Sequence, residues 1–272
     1  MKGTGKSAVV FLGGGRITSA LLAGLRLAGF RQRVVVHDRN AQKLRQLKRQ
    51  YDVQIEPDLH CAVEQARLLI IAVRPDSVRD LLQRVGQVRL GQTHSLTAVS
   101  LAAGIPLKKL RAWTKRPLRW ARAMPSPVAR TGHGLTAITF NRDTPATARR
   151  EVRDFFSRVG TVVEIPERKF DAFTVTYSSS HGYHALSTLA EAAGNLGLDR
   201  KTALTAAAHA LADGVAAWRE AGLSLDALLN EAATPGGIAA TTMAKMDQSG
   251  YKRSVRLGLR AGMSRAAKNA KR

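Results

Sequence analysis

Short unbroken runs of apolar residues recur through the first part of the chain, and between them the apolar positions return every three to four residues. Ala8–Leu12, Val34–His37, residues 68–73 and residues 96–100 are such runs, and they predict strands buried on both faces. Their alternation with helical stretches implies a parallel sheet with helices on either side. Further strands are expected at 119–123, 135–140 and 161–165, with a helix over 144–159 started by Thr144-Pro145. The sheet is expected to end near Pro166. Beyond it the periodicity is helical only, at 183–196, Arg200–Ala221, 224–232, 237–249 and 251–270. Ala203, Ala206, Ala207 and Ala210 lie on neighbouring helix faces and permit close helix approach. A helical unit of about 100 residues has little core of its own, so its helices are expected to pair with those of a second copy. The fold class is α/β: a doubly wound sheet domain over residues 1–165, then an all-α dimerisation domain over 166–272.

Composition narrows the setting. At 272 residues and 44% hydrophobic content the chain has room for two modest cores. Cys61 is the one cysteine, so no intrachain disulfide forms; a reducing cytoplasm is the simplest home, and Cys61 reads as an inert helix residue. No apolar run reaches the ~18 residues of a membrane span. The charged start, Met1 to Lys6, is followed by an apolar run that breaks at Gly13-Gly14-Gly15, so no export signal is read. The excess of 43 Lys and Arg over 20 Asp and Glu gives +23, which raises nucleic acid as a partner. The cations are dispersed, however, with only Lys268, Lys271 and Arg272 dense, and aromatic residues make up 5%. A solvated basic surface that attracts small anions is the preferred reading.

After the first run comes Gly13-Gly14-Gly15-Arg16-Ile17-Thr18. In a strand-turn-helix unit over residues 8–30, Gly13 suits the tight turn and Gly15 lets a pyrophosphate approach the backbone. Gly14, Arg16 and Ile17 complete the surface offered to it, and the following helix points its N-terminus at the phosphates. Thr18 stands where a third glycine closes this Rossmann-like fingerprint. Asp38-Arg39 falls at the end of the second strand, where the adenosine ribose is read. Asp38 suits the hydroxyls of NAD, whereas Arg39 with Lys43 suits the 2′-phosphate of NADP; the cationic pair favours NADP, with NAD possible. Gly5-Lys6-Ser7 resembles the end of a phosphate-binding P-loop but lacks the earlier glycine and precedes its strand, so it is set aside.

Four further segments follow in order: Ile71-Ala72-Val73-Arg74-Pro75, Val99-Ser100-Leu101-Ala102-Ala103-Gly104-Ile105, Arg122-Ala123-Met124-Pro125-Ser126-Pro127 and Thr234-Pro235-Gly236-Gly237. With them the chain resembles the pyrroline-5-carboxylate reductase family over nearly its whole length. The resemblance implies a dimer, or an assembly of dimers, with each active site between one subunit's sheet domain and a partner's helices. It implies NAD(P)H-dependent reduction of a cyclic imine carboxylate, pyrroline-5-carboxylate, to proline. By position, Val73, Arg74 and Pro75 would flank the cofactor, Ala103 and Gly104 would lie by the nicotinamide, and Met124 and Pro125 would line the crevice.

The chain departs from the family where the substrate carboxylate would bind. A Ser-Gly-Ser-Gly-Pro-Ala-Tyr-like loop is here Tyr177-Ser178-Ser179-Ser180-His181-Gly182-Tyr183, and Gly236-Gly237 is followed by Ile238-Ala239 rather than two hydroxyl residues. Ser126 stands where the family usually has asparagine. Ser126, Ser178, Ser179, Ser180, Gly236 and Gly237 are the substrate-side candidates, and a different imine or a ketone would explain the changes. His181 or Tyr177 could donate a proton in catalysis; equally, His181 could cap a helix opening at Gly182, and Tyr177 and His184 could be structural. His133 reads as a loop residue, and Glu151 with Asp154 as a solvated helix face. No Cys/His spacing suits a metal. Two alternatives stay open: a keto- or hydroxy-acid dehydrogenase, against which stands the lack of a suitably placed lysine on the first long helix after Pro166, and a non-catalytic regulatory relative.

Overall fold

The computed structural model describes residues 8–88 and 96–271; Gly5-Lys6-Ser7, the charged start and Arg272 lie outside the described residues. The chain divides into two compact units, one running to Tyr177 and resuming at Gly262, the other Ser178–Ala261.

The first unit holds an eight-stranded sheet. Its strands are β1 (Ala8–Leu12), β2 (Val34–His37), β3 (Gln54–Ile55), β4 (Ala66–Ile71), β5 (Thr97–Ser100), β6 (Arg119–Met124), β7 (Gly134–Phe140) and β8 (Gly160–Glu164). Their order across the sheet is β3-β2-β1-β4-β5-β6-β7-β8, and every pairing is parallel except the antiparallel one of β6 with β7. Val10 in the centre stands opposite Val35 on one side and Leu69 on the other. The period-two geometry of a strand sends Val9 and Phe11 into one core and Ala8, Val10 and Leu12 into the other. Both cores are roofed by helices, which is why β1 is apolar without a break. On the first face lie α1 (Arg16–Leu27), α2 (Ala41–Tyr51) and α6 (Ala146–Ser157); on the second lie α3 (Leu59–Glu64), α4 (Pro75–Gln87) and α5 (Leu107–Thr114).

The doubly wound sheet is as expected; several boundaries move. β4 starts and stops two residues before the expected 68–73, because Ala72 N–H makes a last bond to the Leu12 carbonyl and the chain then turns, so Pro75 opens α4 instead of ending the strand. The helix expected from Thr144 starts at Ala146, with Pro145 as its N-cap residue. Two-residue β3 has no apolar run to announce it. Glu151 is not a solvated acid: it is ion-paired with Arg67, and burial holds its carboxyl above the ordinary range against the pull of that arginine. Asp154 is exposed beside Arg150. Cys61 is an exposed thiol in α3.

The packing boundary also moves, from Pro166 to Tyr177. α7 (Glu167–Thr176) follows Pro166 but packs with the sheet unit, its Phe170 fully buried. The reason is Arg122, 1% exposed, on the same face of β6 as Trp120. Its guanidinium pairs with Asp171 at 2.7 Å and Glu167 at 3.5 Å and stacks over the Phe170 ring, 4.3 Å from the centroid. Tyr177 then anchors its hydroxyl on the Leu135 N–H at 2.8 Å.

The second unit contains α8 (Ser179–Asn195), α9 (Arg200–Ala221), α10 (Leu225–Ala232), α11 (Ile238–Gln248) and the start of α12 (Tyr251–Lys271). Ser178, Asp199 and Ser224 cap α8, α9 and α10 by accepting from amides two or three residues on. α9 buries only Ala203 and Ala207, while Val215 and Trp218 are 50% and 47% exposed. No helix among the described residues is long and apolar enough to cross a membrane.

Candidate functional site

In a doubly wound sheet the binding crevice opens at the carboxyl ends of the strands where strand order reverses, here between β1 and β4. The β1–α1 turn lies there, and its three glycines are required for different reasons. Gly13 has φ +112°, and a Cβ on it would stand 2.6 Å from the Ala72 carbonyl oxygen, so the fold itself demands glycine. A Cβ on Gly14 would touch Leu47 at 3.0 Å. At Gly15 the backbone is ordinary, φ −82°, and a Cβ would meet nothing within 4 Å. No packing contact in the chain excludes a side chain there, and a ligand lying against the backbone would. Gly15 is also the N-cap of α1, without a side-chain cap and without an acidic residue in the first turn, so the helix offers unsatisfied amides and the positive end of its dipole to an anion.

Thr18 repairs the missing third glycine in a way its size alone does not suggest. It is 0% exposed, and its hydroxyl donates to the Gly13 carbonyl at 2.6 Å, tying the first helical turn to the start of the loop.

Asp38 is turned into the protein. One carboxylate oxygen accepts the Gly14 N–H at 2.7 Å and the other the Asn40 N–H at 2.8 Å. Asn40 in turn caps α2. The Asp38 carboxylate thus braces the turn with one amide on each oxygen, and Arg39, Lys43 and Arg16 are exposed.

Val73, Arg74 and Pro75 form the link from β4 into α4, with Arg74 as the exposed N-cap residue. Gly104 has φ +78°, and its missing Cβ would lie 2.4 Å from the Ala266 carbonyl, so glycine there also serves packing against the chain's own α12. Met124 ends β6 and is half-buried; Pro125 and Ser126 are buried. The Ser126 hydroxyl accepts the Val128 N–H at 3.2 Å and caps the short 3₁₀ turn Pro127–Thr131, a use that asparagine would serve equally well.

Tyr177, expected as a possible proton donor, uses its hydroxyl oxygen as the acceptor for Leu135 and rests its ring on Phe173. The segment read as a loop around Ser178 is the opening of α8. Ser178 is its cap, with its hydroxyl 2.7 Å from that of Ser180, so His181 lies exposed in the first turn and does not do the capping. Gly236, φ +77°, and Gly237 lead into α11, whose Thr241 and Thr242 hydroxyls donate back to the carbonyls of Gly237 and Ile238. Ser178 to His181 and Gly236-Gly237 belong to the second unit. His133 lies on the turn before β7. No group of His, Cys, Asp and Glu able to hold a metal occurs among the described residues. Sequence reasoning missed the Arg122 cluster, whose signal was an arginine in the interior of a strand between two alanines.

Comparison with known proteins bears on both units. A family model described as NADP oxidoreductase coenzyme F420-dependent matches residues 8–104, and one described as pyrroline-5-carboxylate reductase dimerisation matches residues 167–269. A pyrroline-5-carboxylate reductase of Corynebacterium melassecola is 28% identical over 247 residues, 90% of this chain and 92% of that one. Another, of Mycobacterium tuberculosis, is 28% identical over 285 residues, 96% of each. The crystal structure of Plasmodium falciparum pyrroline carboxylate reductase with NADP bound has the same fold, with a TM-score of 0.87 at 19% identity over 97% of this chain and 98% of that one. With two models in succession and relatives similar from end to end, this chain is similar along its whole length to pyrroline-5-carboxylate reductases.

Proposed function

We propose that the chain is an NADPH-dependent reductase of a carbon–nitrogen double bond, whose substrate is pyrroline-5-carboxylate or a closely related cyclic imine carboxylate. The observation that carries this is Gly15: an open helix start without a side-chain cap, at a glycine around which the protein leaves free space, in a chain whose relatives over nearly its whole length bear that enzyme's name. When bound, the reduced nicotinamide supplies a hydride to the protonated imine carbon. The chain's own residues bind and orient. The amides of Gly15, Arg16 and Ile17 meet the pyrophosphate, Val73 to Pro75 flank it, and Arg39 with Lys43 takes the 2′-phosphate. Ser178 to Ser180 and Gly236-Gly237 hold the substrate carboxylate, and His181, exposed in the first turn of α8, or Tyr177, whose hydroxyl accepts the Leu135 N–H and keeps its own proton, serves as proton donor. Loss of nicotinamide absorbance on adding pyrroline-5-carboxylate to enzyme and NADPH tests the reading; no turnover across several cyclic imines would sink it.

The cofactor preference has its own test. Charged hydrogen bonds contribute about 1.5–3 kcal/mol, so Arg39→Ser with Lys43→Ala should raise the KM for NADPH roughly ten- to a hundredfold while moving the KM for NADH little. Equal losses for both cofactors would reject the assignment.

The working form is a homodimer, and the chain's single cysteine suits a reducing, cytoplasmic setting. Support comes from α9, which leaves Val215 and Trp218 half-exposed although they are apolar. Sedimentation is expected to give twice the chain mass, and Val215→Asp to shift that mass toward the single chain; an unchanged dimer would show that α9 lies outside the interface.

A further inference from the structure

Resting on the dinucleotide reading of the crevice, we infer that Asn269, in the last turn of α12, is a positioning residue for the nicotinamide half of the site, acting through the backbone of Ala103. The loop that leaves β5 is pinned at three places. Leu101 N–H donates to the Ile71 carbonyl at the end of β4, and Leu107 N–H donates to Glu167 at 2.7 Å. Between these, the Asn269 side-chain amide donates to the Ala103 carbonyl at 3.2 Å.

Asn269 is 7% exposed, and it and Ala266 are the buried residues of a helix otherwise dominated by exposed cations and apolar residues. The fit around it is tight. A Cβ on Gly104 would stand 2.9 Å from the Asn269 Cβ as well as against the Ala266 carbonyl, so the loop and the helix turn are shaped to each other. Burying a side-chain amide is costly unless it is bonded, and an aliphatic residue would have packed there without that requirement. What the amide adds is direction: it fixes where the Ala103 peptide lies.

That peptide matters because of its place in the sheet. A dinucleotide spans the point where strand order reverses, with its adenosine half over β1 and β2 and its second half over β4 and β5. The β5 loop is on the second side, whereas Asp38 and Arg39 are on the first. Asn269 should therefore affect one half of the ligand and spare the other.

The test compares two probes on the full-length dimer: NADPH, and adenosine carrying 2′- and 5′-phosphates, which fills only the adenosine half. With Asn269→Leu the dissociation constant for NADPH is expected to rise about fivefold, as for loss of one hydrogen bond, with that of the fragment unchanged. Asn269→Ser, smaller and still polar, guards against misfolding of the leucine variant and should give the same asymmetry, whereas Asn269→Gln should restore part of the affinity. Parallel losses for both probes would mean that the residue merely stabilises the unit, and no loss for either would mean that the bond is incidental; each overturns the inference. If the wild-type chain binds neither probe, the dinucleotide reading itself fails.

Discussion

Gly15→Ala should leave the protein folded and remove most of its dinucleotide affinity, whereas Gly13→Ala should damage the fold before any ligand is added. A methyl group on Gly15 meets no protein atom within 4 Å, and its φ of −82° suits any residue, so the ligand-free protein should lose only the modest preference of an N-cap for glycine over alanine. The same methyl group would occupy space that a pyrophosphate needs, and overpacking of this kind costs about 1–3 kcal/mol, a loss of roughly five- to a hundred-and-fiftyfold in affinity. At Gly13 the strain of a positive φ, about 1–3 kcal/mol, combines with a Cβ placed 2.6 Å from a backbone oxygen that cannot move without disturbing β4. Thermal shift with and without NADPH reads both variants, because a ligand bound only by the folded state raises its stability. A Gly15→Ala protein that shows the wild-type shift would show that nothing approaches the backbone there.

The second large effect is expected at Arg122, which is buried beneath α7. Arg122→Met keeps the length and apolar stem of the side chain but leaves Asp171 and Glu167 without their cation. Breaking a buried ion pair costs about 3–5 kcal/mol. The low end applies, because the two carboxylates are 30% and 37% exposed and water can reach them. At about 2–4 °C per kcal/mol for a domain of this size, the midpoint should fall by roughly 6–12 °C in calorimetry. Adding Asp171→Leu to Arg122→Met should recover part of the loss, since an apolar pair leaves no orphaned charge. A fall of less than about 2 °C for Arg122→Met would mean that α7 is held by Phe170 alone.

Much of this was legible because burial on two faces leaves a plain trace. β1, β2 and β4 are interior strands covered on both faces, so their runs are apolar without alternation and stand out from any helix. β3 is a two-residue edge and has no such trace. The glycine turn could be read by spacing, but the division of labour within it could not: that Gly13 answers to Ala72 and Gly15 to empty space depends on residues far along the chain. Asp38 was ambiguous for the same reason, since an amide from Gly14 settles its direction. The resemblance to a family loop misled at Ser178, where a serine before a helix is its natural cap and α8 opens at Ser179. The end of the sheet unit was placed at Pro166 because the periodicity changes there, but the change in packing is set by Arg122 and Tyr177, whose partners are 42 to 49 residues away.

The first unit is not a continuous stretch of the chain: it breaks off at Tyr177 and is completed from Gly262 onward. Dissection of the gene at the family's domain border, or anywhere after Tyr177, would therefore yield a sheet fragment that lacks its last structural piece. The surface around Gly104 that Ala266 and Asn269 cover would be bare in such a fragment. Its behaviour would report on an unfinished unit, and grafting the sheet onto another helical domain would have to bring residues 262–271 along with it.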